Sequence, residues 1–146
     1  MKPRVNVITL AVRDLDRSLV FYRDGLGLPC KGILGDEIKG SKTEPAGAVA
    51  LFELRGGLFL ALYPRSELSK DAKVPDGARS PVEFSLGYAA SSKEAVDALL
   101  LRAAAAGATL TDHPHDRPWG IYSGYFLDLD GHLWEILWNP DIQVED

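Results

Sequence analysis

Residues 119–140 read WGIYSGYFLDLDGHLWEILWNP, two runs of aromatic and branched side chains on either side of Asp130-Gly131. Asp-Gly between such runs is the strongest short-range signal of a β-hairpin, because glycine adopts the positive φ that the turn needs. This reading places strands over 121–128 and 132–138. In the second strand one carboxylate, Glu135, stands among Leu133, Trp134, Ile136, Leu137 and Trp138. An ionised group there loses its hydration unless it meets a partner, a ligand or water, so Glu135 is the first candidate functional residue. The plainer alternative is a carboxylate exposed on an edge strand or tied to a nearby arginine.

Outward from the hairpin, the 146 residues repeat one pattern twice. Val5 to Val12 is β-branched and apolar and reads as a strand, so no signal peptide is expected before it. Asp14 is an N-cap candidate for a helix carrying Leu15, Leu19 and Tyr22 and ending at Gly25-Leu26-Gly27. Leu28 to Leu34 reads as a strand, the polar 35–47 stretch as a loop free to move, and 48–54 and 58–63 as a hairpin around Arg55-Gly56-Gly57. The proline-punctuated stretch 64–81 reads as a polar connector. A strand over 82–89 follows, then a helix opened by Ser91-Ser92-Lys93-Glu94 as a capping box and closed at Gly107. Ala108 to Thr111 reads as a short strand and Asp112-His113-Pro114-His115-Asp116 as a loop before the hairpin. The expected fold is α+β, one domain of two tandem β-α-β-β-β modules, about 4–63 and 81–140.

The repeat can be aligned residue by residue. Superposing Gly57 on Gly131 (131 − 57 = 74) sets Ala61 opposite Glu135. Matching Leu10 to Leu86 (86 − 10 = 76) sets Val7 opposite Glu83.

Composition limits the function. The formal net charge is −5, with Lys and Arg scattered along the chain, which argues against nucleic acid or an anionic membrane as partner. No apolar run is long enough to span a bilayer. Cys30 is the only cysteine, so no intrachain disulfide forms, and a cytoplasmic location is expected.

The first strand leading into Val12-Arg13-Asp14-Leu15-Asp16-Arg17-Ser18, Phe21-Tyr22 and Gly25-Leu26-Gly27, together with Gly124 to Glu135 at the far end, resembles the vicinal oxygen chelate superfamily. That group includes glyoxalase I, extradiol dioxygenases and bleomycin-resistance proteins. The resemblance implies two modules whose sheets curl around a shared cleft, generally in a homodimer. It also implies metal ligands on the first and last strands of the modules, here Val7, Ala61, Glu83 and Glu135. Two of these four side chains cannot ligate, leaving Glu83 and Glu135 as weak metal candidates and suiting at most a loosely held Mg²⁺ or Ca²⁺. No tightly bound cofactor is therefore expected.

His113 and His115 fall in a proline-interrupted loop, and His132, three residues from Glu135 on an extended strand, points to the other face. Phe59, Trp119, Tyr122 and Tyr125 are candidates for an aromatic wall, with Glu83 and Glu135 as orienting anions. Packing in the core is the competing role for each of these rings. Two functions follow. One is a metal-independent protein that binds a small molecule in an acidic, aromatic cleft, as in bleomycin resistance. The other is a lyase, isomerase or dioxygenase in which Glu135 is a general base or weak metal ligand.

Overall fold

Asp14 turns the first strand into the first helix, its carboxylate accepting the Arg17 N–H at 3.0 Å, and the same device recurs where Ser92 Oγ accepts the Ala95 N–H at 3.1 Å. These two caps open the two halves of the fold. The protein is described by a computed structural model covering residues 1–146 other than Glu83, Gln143, Glu145 and Asp146. The chain divides into two units, Met1–Ala78 and Arg79–Asp146. Each holds a four-stranded mixed sheet with helices, the α+β arrangement expected from the repeat.

In the first unit β1 (Val7–Val12), β2 (Ile33–Leu34), β3 (Val49–Glu53) and β4 (Phe59–Pro64) lie in the order β1-β4-β3-β2, with β1 parallel to β4. Strand alternation buries Leu10, Val12, Ala50, Phe52, Leu60 and Leu62 on one face. There they meet α1 (Leu15–Val20) and the wider turn Phe21–Gly25 that continues it, with Tyr22 against Phe52 at 6.0 Å between ring centroids. Each large side chain so buried stabilises the unit by about 1.5–3 kcal/mol. The other face carries Val7, Thr9, Leu51, Phe59 and Ala61.

The 64–81 stretch is not all connector. Arg65–Ala72 is a helix, α2, ending at Lys73 in the left-handed conformation (φ 54°). It has no apolar stripe and no buried residue, so periodicity could not reveal it. It clasps the 35–47 loop instead: Glu67 Oε2 accepts the Ala46 N–H at 2.8 Å and Lys70 Nζ donates to the Ser41 carbonyl at 3.0 Å, while Tyr63 Oη, at the end of β4, donates to the Ala46 carbonyl at 2.6 Å. The loop expected to be free is therefore tied. The Ala46 amide first, and Lys70 second, hold the Glu67 carboxyl below its ordinary value.

In the second unit β5 (Leu86–Ala89), β6 (Thr109–Asp116), β7 (Tyr122–Leu127) and β8 (Leu133–Trp138) lie in the order β5-β8-β7-β6. The helix α3 (Lys93–Ala105) buries Val96, Leu100 and Ala103. The hairpin stands as read, with its turn organised by Asp128, whose Oδ1 accepts the Asp130 and His132 N–H groups at 2.9 and 2.8 Å. Two expectations change. The N-cap is Ser92 rather than Ser91, with the Glu94 carboxylate hydrogen-bonded to the Ser92 side chain, and β6 runs straight through the His-Pro-His segment. Pro114 is tolerated because β6 is an edge strand with register shifts between Leu110 and Asp112 and between Asp112 and His115. Among the described residues no helix is long and apolar enough to cross a membrane.

Strand pairing also corrects the alignment of the repeat. Thr9 pairs with Ala61 in the first unit and Gly87 with Glu135 in the second, so the first strands are offset by 87 − 9 = 78. The helix caps agree, since 92 − 14 = 78. The counterpart of Val7 is thus Ser85 and not Glu83.

Candidate functional site

Glu135 projects from β8 on the face turned away from α3, since its neighbours Trp134 and Ile136 are the residues that alternate toward the helix. Directly across β7 stands Tyr125, and one step diagonally stands Ser123. Ser123 is fully buried, and its Oγ donates to Glu135 Oε1 at 2.9 Å. The serine oxygen in turn accepts from Arg117 Nε. Arg117 Nη2 donates to Asp112 Oδ2 at 2.6 Å and to the Ser123 carbonyl at 3.2 Å, and the guanidinium lies 5.2 Å from the centre of the Tyr125 ring. His115 Nε2 completes the cluster at 3.1 Å from Asp112 Oδ2.

The electrostatics follow from this geometry. Burial, then the charge of Glu135 and a hydrogen bond to it, hold the Tyr125 phenol above its usual value, so the hydroxyl keeps its proton and acts as a donor. The Arg117 guanidinium, helped by His115, holds the Asp112 carboxyl below its usual value. Glu135 is therefore fixed by hydroxyl donors from β7, with a cation behind the serine. That is close to the plainer alternative of a carboxylate tied to an arginine, with Ser123 interposed.

Within the second unit the rings expected to form an aromatic wall do not share one face. Tyr122 alternates to the helix side, donating to Asp97 Oδ1 at 2.7 Å, with Lys93 Nζ 5.3 Å from its ring centre. Trp119 sits in the tight turn before β7 with φ 66° and is 87% exposed. Phe59 belongs to the first unit, half-buried on β4 beside Val7. Within the described residues of the second unit, Tyr125 is the one of these rings that adjoins Glu135, and Arg117 already covers one side of it. Glu83 lies outside the described residues. Ser123, Arg117 and Asp112 were missed because none stands out from its neighbours by type. The sequence signal available was the hairpin register, which sets Ser123 and Tyr125 on the face of Glu135.

The strand positions that carry metal ligands in the vicinal oxygen chelate pattern are, by the corrected register, Val7 and Ala61 in one unit and Ser85 and Glu135 in the other. One carboxylate and one hydroxyl do not make a transition-metal ligand set, and among the described residues no three His, Cys, Asp or Glu side chains are grouped to hold an ion. The residues present do not fit the metal.

The family model of the Glyoxalase/Bleomycin resistance protein/Dioxygenase superfamily matches residues 4–136, and the chain belongs to that superfamily. Among solved structures it is similar to a glyoxalase-related enzyme from Fulvimarina pelagi, with 28% identity over 98% of this chain and 93% of the other and a TM-score of 0.77. It is also similar to a glyoxalase/bleomycin resistance protein/dioxygenase from Nocardioides (23%, covering 100% and 90%, TM-score 0.71). A third similar structure is lactoylglutathione lyase from Agrobacterium tumefaciens (24%, covering 99% and 100%, TM-score 0.63). The last two show the shared fold alone. A search of the curated proteins found no match.

Proposed function

We propose that this chain is a cytoplasmic, homodimeric small-molecule-binding protein that holds a cationic or N–H-bearing ligand on Glu135 without a tightly bound metal. The observation that carries this reading is the fixing of Glu135 by Ser123 and Tyr125 beside apolar Leu133 and Leu137. An ionised carboxylate is acceptor-only, so a ligand must bring the donor that its remaining lone pairs lack. The exposure of Val7, Leu34 and Leu51 on the first unit's sheet supports a partner surface, which light scattering tests.

Benzamidine, a planar cation with an apolar body, is a suitable probe, and neutral benzyl alcohol is its control. Glu135→Gln is expected to keep the melting temperature and weaken benzamidine binding about tenfold or more, the scale of a lost charge-assisted hydrogen bond, while leaving benzyl alcohol unaffected. Equal benzamidine affinity in both proteins would end the reading. Elemental analysis after mild dialysis is expected to find well under one transition metal per chain. A stoichiometric metal that is lost in Glu135→Ala would instead favour a lyase, isomerase or dioxygenase.

A further inference from the structure

Two glycines occupy strand interiors in the second unit, and only one has a structural reason. Gly124 is required by packing, because a Cβ there would lie 2.7 Å from Leu100 Cδ1 and 2.9 Å from the Asp112 carbonyl oxygen and Pro114 N. At Gly87 the φ is not positive, and among the described residues a Cβ would meet only Leu137 Cδ2, at an ordinary 3.6 Å. Neither backbone conformation nor crowding calls for glycine in β5, where it weakens a strand. Besides bulges and tight bends, strand glycines often mark places where a ligand or another backbone approaches closely, and the β5–β8 pairing at Gly87 runs without a register shift.

The approach at Gly87 leads to Glu135. One row runs across the sheet through Asp112, Tyr125, Glu135 and Gly87. The donors that fix the carboxylate come from the β7 side. Gly87 is the neighbour on the β5 side, and it is exposed. The other half of the repeat provides an internal comparison. There the matching pair is Thr9 and Ala61, so the side chain on the first strand is present where the carboxylate is absent, and absent where the carboxylate is present.

We infer that Gly87 is the specificity-determining residue of the Glu135 site, its missing side chain forming the slot through which the ligand's donor group reaches the carboxylate. The inference rests on the ligand reading of Glu135. It makes Gly87 a filter on width: a flat amidinium or primary ammonium enters, and a donor carrying bulk at its nitrogen does not.

The test compares Gly87→Ala and Gly87→Val with the parent protein by calorimetric titration with benzamidine, alongside Glu135→Gln. Both Gly87 variants are expected to melt at the parent temperature or above it, because an added Cβ meets Leu137 Cδ2 at ordinary contact distance and valine suits a strand. Benzamidine affinity is expected to fall a few-fold in Gly87→Ala and at least tenfold in Gly87→Val, with N,N′-dialkylated benzamidine binding none of them. If Gly87→Val keeps benzamidine affinity within twofold of the parent while Glu135→Gln loses it, the slot is overturned and the carboxylate reading survives. If Glu135→Gln also keeps it, or the parent protein does not bind, both fall together. A Gly87→Val protein that unfolds overturns the slot, since glycine would then be structural, and Gly87→Ala reports the same distinction with a single added methyl.

Discussion

Gly124→Val is expected to destabilise the second unit by about 3 kcal/mol, the upper range for forcing atoms into a filled interior. A Cβ at 124 already collides with Leu100 on α3 and with the backbone of β6 at Asp112 and Pro114, and valine adds two methyl groups to that collision. Backbone cannot be moved aside as a side-chain tip can, so either α3 lifts from the sheet or the β6 bulge comes undone. The second outcome also displaces Asp112, which anchors Arg117. All three tryptophans, Trp119, Trp134 and Trp138, lie in this unit, so their fluorescence against urea reports its unfolding without interference from the first. The expected result is a lower midpoint at an unchanged slope. A midpoint equal to that of the parent would mean that β6 is not held against Gly124.

Arg117→Met is expected to cost about 1–2 kcal/mol at neutral pH through the hydrogen bonds lost to Ser123 alone, whose buried oxygen keeps its donation to Glu135 but has no donor of its own. The change also has a pH signature. With Arg117 present, the Asp112 carboxyl is held below its ordinary value, with that guanidinium as the largest cause and His115 the next. A depressed carboxyl contributes stability that is present above its unfolded value and is lost as the pH falls through the folded one. The gap between parent and variant should therefore narrow on acidification through and below the ordinary carboxylate range. Urea midpoints at a series of pH values measure it, and a gap that stays constant would show that the Asp112–Arg117 pair is too solvated to contribute.

What could be read in advance was what local chemistry determines. Asp130-Gly131 marked the hairpin, Asp14 the first helix cap, and the match of Gly57 to Gly131 the repeat, because each depends on residues a few positions apart. Helix α2 was hidden because Arg65 to Ala72 is polar on every side and is held by Ala46 and Ser41, more than twenty residues back in sequence. Strand β6 was hidden because Pro114 argues against a strand until a bulge accommodates it. The site was half legible. Glu135 stood out as a charge in an apolar strand, but Ser123 and Arg117 acquire their roles only from sheet register. The alignment of Val7 with Glu83 missed the position by two residues, since alternation in sequence fixes parity and not register. Tyr122 and Tyr125, three apart in one strand, necessarily face opposite ways, and the helix took the first of them.

The clasp between α2 and the 35–47 loop has a practical bearing on where this chain can be divided. A cut at the apparent linker, after Pro64, would discard Glu67 and Lys70 and leave the Ala46 amide and the Ser41 carbonyl without their side-chain partners on α2. A cut after Ala78, where the first unit ends, keeps the helix with the loop it holds. Fragment and domain-exchange designs drawn at the proline-rich boundary would sever a brace that belongs to the body they aim to isolate.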